Sequence, residues 1–214
     1  MAANERKGRD FIARHGETVF NAAGRMQGDV PHTPLTRTGF AQAEEIGVAL
    51  RLFLGPRPEL ALWTSDAGRA QQTMAVICEH LELDWHSLRP DPRLAEIGIG
   101  EWSGRYYRDL AAENEALLDR STGLFAIRAP GGEDYGEVAA RLRTWLADQE
   151  QEPGDRLVVM HGMSSRVLRG ILTGMAETPE CGAPVADGLP QGSLVVIEDG
   201  VEQVIHLGAS AWGE

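Results

Sequence analysis

Asp10-Phe11-Ile12-Ala13-Arg14-His15-Gly16-Glu17-Thr18 passes from a short apolar run into a cation, an imidazole and a glycine. That change predicts a β-strand over Asp10 to Arg14 feeding directly into a loop. Moving outward, Thr36 to Phe53 carries helical periodicity, with Thr36 or Thr38 as its N-cap. Leu60 to Thr64 is expected to be a second strand, and Asp66 to Leu81 a helix starting at Ser65 or Asp66. Asp134 to Gln149 is helical in pattern, Arg156 to Met160 reads as a buried strand, and Ser164 to Thr173 as a further helix. Ser193 to Glu198 and Val201 to His206 flank Asp199-Gly200, a two-residue turn signal that predicts a terminal hairpin.

Strands separated by helical segments imply βαβ connections, and runs such as Leu157-Val158-Val159-Met160 suit a sheet covered on both faces. The predicted fold is therefore α/β, a three-layer α/β/α sandwich around a mostly parallel, mixed central sheet. Leu88 to Gly132 is less regular, with Tyr106 to Asp119 as its best helix. No repeat or linker divides the 214 residues, so one domain over 1–214 is expected, with a core over 10–207.

Composition excludes several classes. With 43% hydrophobic and 24% charged residues the chain has the balance of a globular protein, not a disordered one. The net charge of −12 disfavours nucleic acid and anionic membrane surfaces, so an anionic ligand has to be met by locally gathered cations. No apolar run reaches the roughly 20 residues of a membrane span, and the polar opening Met1 to Asp10 lacks the apolar segment of a secretory signal, which together predict a cytoplasmic protein. Cys78 and Cys181 form no C-x-x-C pair, and Cys78 reads as a small buried side chain.

In a parallel α/β sheet ligands bind beyond the carboxyl ends of the strands. Arg14-His15 follows the first strand, Ser65-Asp66 and Arg69 follow the second, and His161-Gly162 follows the strand Arg156 to Met160. Three strand ends thus offer two arginines and two histidines to one place. Guanidinium forks match the oxygens of a phosphate dianion, and a helix N-terminus adds partial positive charge. A neutral imidazole can attack phosphorus, and adjacent arginines favour the neutral form. An alkoxide leaving group also needs a proton. Glu96, flanked by Leu94 and Ile97, is expected to be a desolvated carboxyl suited to that task, with Glu101 as the competing carboxylate that spacing alone does not exclude.

These residues carry a resemblance. Arg14-His15-Gly16-Glu17-Thr18, Asn21, Gly24-Arg25-x-Gln27-Gly28, Pro34-Leu35-Thr36-x-x-Gly39-x-x-Gln42-Ala43, Ser65-Asp66-x-x-Arg69-Ala70-x-Gln72-Thr73, Glu96 and His161-Gly162 occur in order. Together they resemble the histidine phosphatase superfamily, the phosphoglycerate mutase-like proteins. The resemblance implies that fold. It implies His15 as the transiently phosphorylated nucleophile, Glu96 as the acid, and His161 as the further catalytic residue, set in the phosphate pocket as a donor to a phosphate oxygen. Arg14, Arg69 and Asn21 would bind the phosphate, and Arg25, Gln27 and Gly28 would face the substrate. No cofactor and no metal are implied.

Glu96 is followed by Ile97-Gly98-Ile99-Gly100-Glu101-Trp102, without the His-Tyr-Gly run and the longer insertion before Pro130 that mark the mutases. That favours the phosphatase branch. The expected activity is a metal-independent phosphomonoesterase acting on a small phosphorylated metabolite through a phosphohistidine, with inorganic phosphate as product. A mutase, or a weakly catalytic phospho-ligand binding module, is the rival. Two departures stand out: Asp134 follows Gly-Gly-Glu where Ser is common, and Pro31-His32-Thr33-Pro34 adds residues near the pocket.

Taken singly, the arginines read as surface charges, His161 as a core histidine and Trp102 as packing. Arg25 and Arg166 fit substrate contacts and surface charges equally. His32, His80, His86 and His206 lack the spacing of a metal hydrolase. Neither nucleic acid nor membrane is an expected partner, and oligomeric state is open, a homodimer included.

Overall fold

The computed structural model describes residues 7–114 and 116–209. The opening Met1 to Arg6, the chain end and position 115 of the expected helix Tyr106 to Asp119 lie outside the described residues. Asp10–Arg14 forms strand β1, buried along nearly its whole length. It is followed by Leu60–Thr64 (β2), Arg89–Pro90 (β3), Asp155–Met160 (β4), Leu194–Glu198 (β5) and Val201–His206 (β6). They make one six-stranded sheet in the order β3-β2-β4-β1-β5-β6. β1, β2, β3 and β4 run parallel, and β5 and β6 are antiparallel additions at one side. This is the mixed, mostly parallel sheet that the sequence predicts.

The helices are Val19–Ala22 (α1), Arg37–Leu54 (α2), Gly68–Leu81 (α3), Tyr107–Glu113 (α4), Tyr135–Asp148 (α5) and Gly162–Leu172 (α6). Side chains alternate across the strands, so Phe11, Ala13, Leu62, Leu157 and Val159 face a core with Ile46 and Leu50 of α2 and Met74, Ile77, Cys78 and Leu81 of α3. Ile12, Trp63, Val158 and Met160 face the opposite core, built with Val138, Leu142 and Trp145 of α5 and Val167 and Leu168 of α6. Trp63 and Trp145 meet edge to face at 5.6 Å. Cys78 is buried there as a small apolar group, its thiol pushed up to about 11 by burial. Trp102 is core packing as well.

Local chemistry explains most boundaries. Thr36 caps α2 by accepting from Gly39 N, and Asp134 and Glu137 form a reciprocal capping box at the start of α5. Asp134 therefore does the work a serine would do there. Asp199 (φ 49°) and Gly200 (φ 77°) both adopt positive φ, the turn that a tight hairpin requires.

Four expectations need correction. The helix expected from Asp66 begins at Gly68, because Ser65 turns inward and its Oγ accepts from Ala67 N at 3.3 Å, fixing Ala67 in an extended conformation. The helix expected over Tyr106 to Asp119 stops at Glu113, where Asn114 closes it with its side-chain amide on Leu110 O at 3.0 Å. The helix expected from Ser164 starts two residues earlier, at Gly162, for a reason given below. Asn21, placed in a loop, sits in the one-turn α1, capped by Thr18. The two-residue β3 also goes unread in the sequence; its proline lies on the sheet edge, where a missing N–H costs nothing.

Register positions the site. Arg14 pairs with Met160, and Thr64 with Val159, so β1, β4 and β2 end level and release His15, His161 and Ser65 at one edge of the sheet.

Candidate active site

His15 N donates to Met160 O at 3.0 Å, which extends the parallel pairing of β1 and β4 by one residue and anchors the histidine backbone. The loop it opens is then fastened by motif residues outside the cavity wall described below. Gly16 N donates to Thr73 Oγ1 at 3.2 Å, Glu17 N to Gln42 Oε1 at 2.7 Å, and Leu35 N to Gln72 Oε1 at 3.0 Å. Gly16 lies against the backbone of Gly39, where an added Cβ would meet Gly39 O at 2.2 Å. Glycine is required on both sides of that crossing. The Thr36-x-x-Gly39-x-x-Gln42 and Gln72-Thr73 patterns are thus the fasteners of the loop that carries His15.

The His15 ring is buried and its Nδ1 lies 2.7 Å from Gly16 O. A carbonyl only accepts, so Nδ1 carries the proton and Nε2 keeps its lone pair. Burial holds the imidazole well below the usual histidine range, helped by the charges of Arg69 and Arg14, while the bond to Gly16 works weakly in the other direction. His15 is therefore a neutral base with its nucleophilic nitrogen directed away from its own backbone.

His161 lies beside it, ring centroids 5.2 Å apart and planes at 63°. Its Nδ1 accepts from Arg69 Nε at 3.2 Å, which leaves Nε2 protonated and donating to Ser65 Oγ at 2.7 Å. It too is held well below the ordinary histidine range, by burial first and then by Arg69. Both ring nitrogens of His161 are thus engaged with protein, whereas a donor aimed at a phosphate oxygen was expected. Arg69 is wholly buried, and its guanidinium is lowered to about 10 mainly by that burial. It donates through Nη1 to Val30 O and to Thr33 Oγ1 (3.1 Å), and through Nη2 to Gly28 O (2.7 Å). Of its five N–H groups one, on Nη2, has no partner among the described residues. The additional residues Pro31 to Pro34 therefore buttress Arg69.

In front of this pair opens a cavity of about 80 Å³ lined by Arg14, His15, Asn21, Arg25, Gln27, Gly28, Glu96 and Gly162 among others. Arg69 and His161 stand behind it. Arg14 donates through Nη1 to Leu189 O at 2.7 Å, while its Nε is buried with no partner among the described residues. The guanidinium rests on Gly162, where a Cβ would sit 3.1 Å from Nη2. Asn21 Oδ1 accepts from Thr18 N (3.1 Å) and Gln191 Nε2 (2.6 Å), so its amide N–H groups are available to the cavity. Gln27 is pinned by Thr18 Oγ1 at 2.5 Å. Arg25 donates Nε to Gly104 O at 2.6 Å and lies between the rings of Phe20 and Tyr106, at 4.9 and 5.2 Å.

Glu96 reaches the cavity and Glu101 does not. Of the flanking residues, Leu94 turns into the core, and Ile97 packs on the core while also forming part of the cavity wall. Glu96 Oε1 accepts from Ile97 N at 2.9 Å and Ser164 N at 2.8 Å, and Oε2 from Met163 N at 3.0 Å. The latter two are first-turn amides of α6, whose N-cap His161 supplies no side-chain cap. A carboxylate distant in sequence thus caps the helix, and this is why α6 starts at Gly162. The expected desolvated carboxyl is replaced by one solvated by backbone amides. Arg141 of α5 holds this segment by donating to Arg93 O and Glu96 O and pairing with Glu133 at 2.9 Å.

Tyr107, Phe125, Met26, Ile97, Ile99 and Met163 complete the wall and were not read as site residues. Tyr107 has its hydroxyl raised by burial and by Glu96. The Tyr106-Tyr107 pair in an otherwise irregular stretch is the only local sign of it. Arg166 lies off the cavity with Nε on Ala186 O at 2.7 Å, a structural contact. Among the described residues no group of three or more His, Cys, Asp or Glu side chains is gathered to hold a metal, and no helix is long and apolar enough to cross a membrane.

Comparison with known proteins places this geometry. The pattern described as "Histidine phosphatase superfamily (branch 1)" matches residues 11–186. A probable phosphoglycerate mutase GpmB of Erwinia tasmaniensis is 35% identical over 176 residues, 79% of this chain and 77% of that one. Its counterpart in Yersinia enterocolitica is 33% identical over 173 residues, with the same shares covered. Among solved structures, a putative alpha-ribazole-5′-P phosphatase from Escherichia coli K-12 superposes with a TM-score of 0.71 at 26% identity, over 98% of this chain and 100% of that one. A mycobacterial glucosyl-3-phosphoglycerate phosphatase in complex with VO3 gives 0.72 at 26% identity, over 95% and 100%.

Proposed function

The chain belongs to the histidine phosphatase superfamily, and from that premise we propose that it is a metal-independent phosphomonoesterase releasing inorganic phosphate from a small phosphorylated metabolite. The observation that carries the reading is His15: a buried, neutral imidazole with Nδ1 donated to Gly16 O and the Nε2 lone pair free for attack. In this reading Arg14, Asn21 and the remaining Nη2 proton of Arg69 bind the phosphate, and the unpartnered Arg14 Nε supports that assignment. His15 Nε2 forms a bond to phosphorus as the bond from phosphorus to the alkoxy oxygen breaks. Glu96 gives its proton to that oxygen. Water then attacks the phosphohistidine, Glu96 takes the water's proton, and phosphate leaves. His161 holds Arg69 and Ser65 in place behind the nucleophile. Arg25, Gln27 and Gly28 shape the substrate side.

The second reading is a mutase, favoured by the names of the curated relatives. Rapid quenching with a labelled phosphomonoester, with and without chelator, separates the two. The expected result is an acid-labile, alkali-stable phosphoenzyme mapped to His15, lost in His15→Ala, with phosphate released at the same rate in both conditions. Accumulation of a phosphorylated isomer of 3-phosphoglycerate would replace the hydrolytic reading with the mutase, and a label on another side chain would overturn the site.

A further inference from the structure

We propose that the alcohol released by this site is uncharged and largely apolar, an aromatic or branched alkyl alcohol; the inference rests on the phosphomonoesterase reading and narrows its substrate. The cavity has two ends of different chemistry. Arg14, His15, Asn21 and Glu96 gather at one, and Met26, Ile97, Ile99, Phe125 and Met163 form the apolar share of the remaining wall. Ile97, Ile99 and Phe125 also form one side of a second cavity, of about 160 Å³, whose remaining apolar lining is Trp102, Ala126, Ile127 and Ala129. The Phe125 backbone is anchored by the Tyr135 hydroxyl at 2.9 Å, and its ring leans on Trp102 at 5.9 Å. Phe125, on a fixed backbone, thus belongs to both spaces together with Ile97 and Ile99, and a longer alcohol meets this apolar surface as it leaves the first.

Charge points the same way. A phosphate dianion engages Arg14, and the other arginine in the cavity wall, Arg25, already donates to Gly104 O and lies between two aromatic rings. In the second cavity Arg128 is committed to Gly132 O, Asp134 and Glu137, while Glu133, Asp134 and Glu180 share the lining. In the second cavity a carboxylate or second phosphate on the leaving group would face these acidic side chains beside an arginine already paired, so it would be desolvated without a partner. A glyceryl group would leave hydroxyls against Ile97, Ile99 and Phe125.

The test uses the full chain and three esters whose alkoxides are similarly poor leaving groups: 2-phenylethyl phosphate, glycerol 3-phosphate and 3-phosphoglycerate. The expected kcat/KM for 2-phenylethyl phosphate exceeds that for glycerol 3-phosphate at least tenfold and that for 3-phosphoglycerate by more. Phe125→Ala is expected to narrow the first ratio severalfold, and Phe125→Lys to narrow the second. Glycerol 3-phosphate or 3-phosphoglycerate hydrolysed as well as the phenylethyl ester overturns the inference and leaves the phosphatase reading intact. Ratios unchanged in both Phe125 variants overturn the placement of the alcohol. No phosphate from any ester, and no phosphohistidine, overturns the phosphatase reading and this inference with it.

Discussion

Replacing Glu96 by Gln tests the chemistry and the architecture at once, because the carboxylate accepts three backbone N–H bonds that an amide cannot all receive. Oε1 serves Ile97 N and Ser164 N, and Oε2 serves Met163 N. In Glu96→Gln the remaining oxygen can keep the first two, but the new NH2 group then confronts the Met163 N–H, donor against donor. A hydrogen bond to a charged group contributes about 1.5–3 kcal/mol and a neutral one about 0.5–1.5. Losing one charged bond and weakening two, at a half-buried site, costs about 2 kcal/mol. For a chain of this size that corresponds to a fall in Tm of roughly 4–8 °C. Catalysis is expected to respond unequally. Loss of a proton donor slows alkyl esters by about 10² to 10⁴, whereas 4-nitrophenyl phosphate, whose leaving group needs no proton, loses roughly tenfold or less. Calorimetry and steady-state phosphate release on both ester types provide the assay. An equal loss for the two leaving groups would refute the acid role of Glu96, and an unchanged Tm would refute the capping of α6 by its carboxylate.

Acid stability follows from the two buried imidazoles. His15 and His161 both sit below their unfolded value of about 6.5, so the unfolded state binds more protons, and their contribution is complete above pH 6.5 and lost as pH falls toward the folded values. Between pH 6.5 and 5.5 the pair costs about 2 kcal/mol of stability, and urea titrations of His15→Gln are expected to show about half that dependence; an identical slope would contradict the burial of a neutral His15. Gly39→Ala gains helix propensity but drives a Cβ to 2.0 Å from Glu17 O, so a loss of more than about 3 kcal/mol and of most turnover is expected, and wild-type Tm and kcat/KM would show that the two loops do not cross there. Ser65→Ala removes the acceptor of the His161 Nε2–H bond; kcat is expected to fall about tenfold with KM little changed, and 15N shifts of His161 are expected to move from the Nε2–H tautomer toward a mixture. Unmoved shifts would mean that Ser65 does not set the tautomer.

Strands and long helices were legible because their signals are local. Asp10–Arg14, Leu60–Thr64 and the hairpin at Asp199-Gly200 stand where their apolar runs and turn residues place them. Thr36 caps α2 through its own hydroxyl. Tyr107–Glu113 was over-read because helical periodicity continues past a stop that depends on one side-chain amide of Asn114. Tyr107 and Phe125 went unread as wall residues because nothing in their neighbourhood marks an aromatic as facing a cavity instead of a core.

What the amino-acid order settled by itself was the layered α/β class and the short motifs that end its strands, since both depend on neighbours a few residues apart. The three-dimensional arrangement decided the rest. It brought Glu96, and not Glu101, to the cavity wall, where the carboxylate meets the amides that begin α6. It set Arg69 and His161 behind His15 in mutual hydrogen bonding, a consequence of the register that ends β1, β2 and β4 level. Such choices turn on distances between groups far apart along the chain, and a helix cap or a proton position takes its energy from whichever partner the packing delivers.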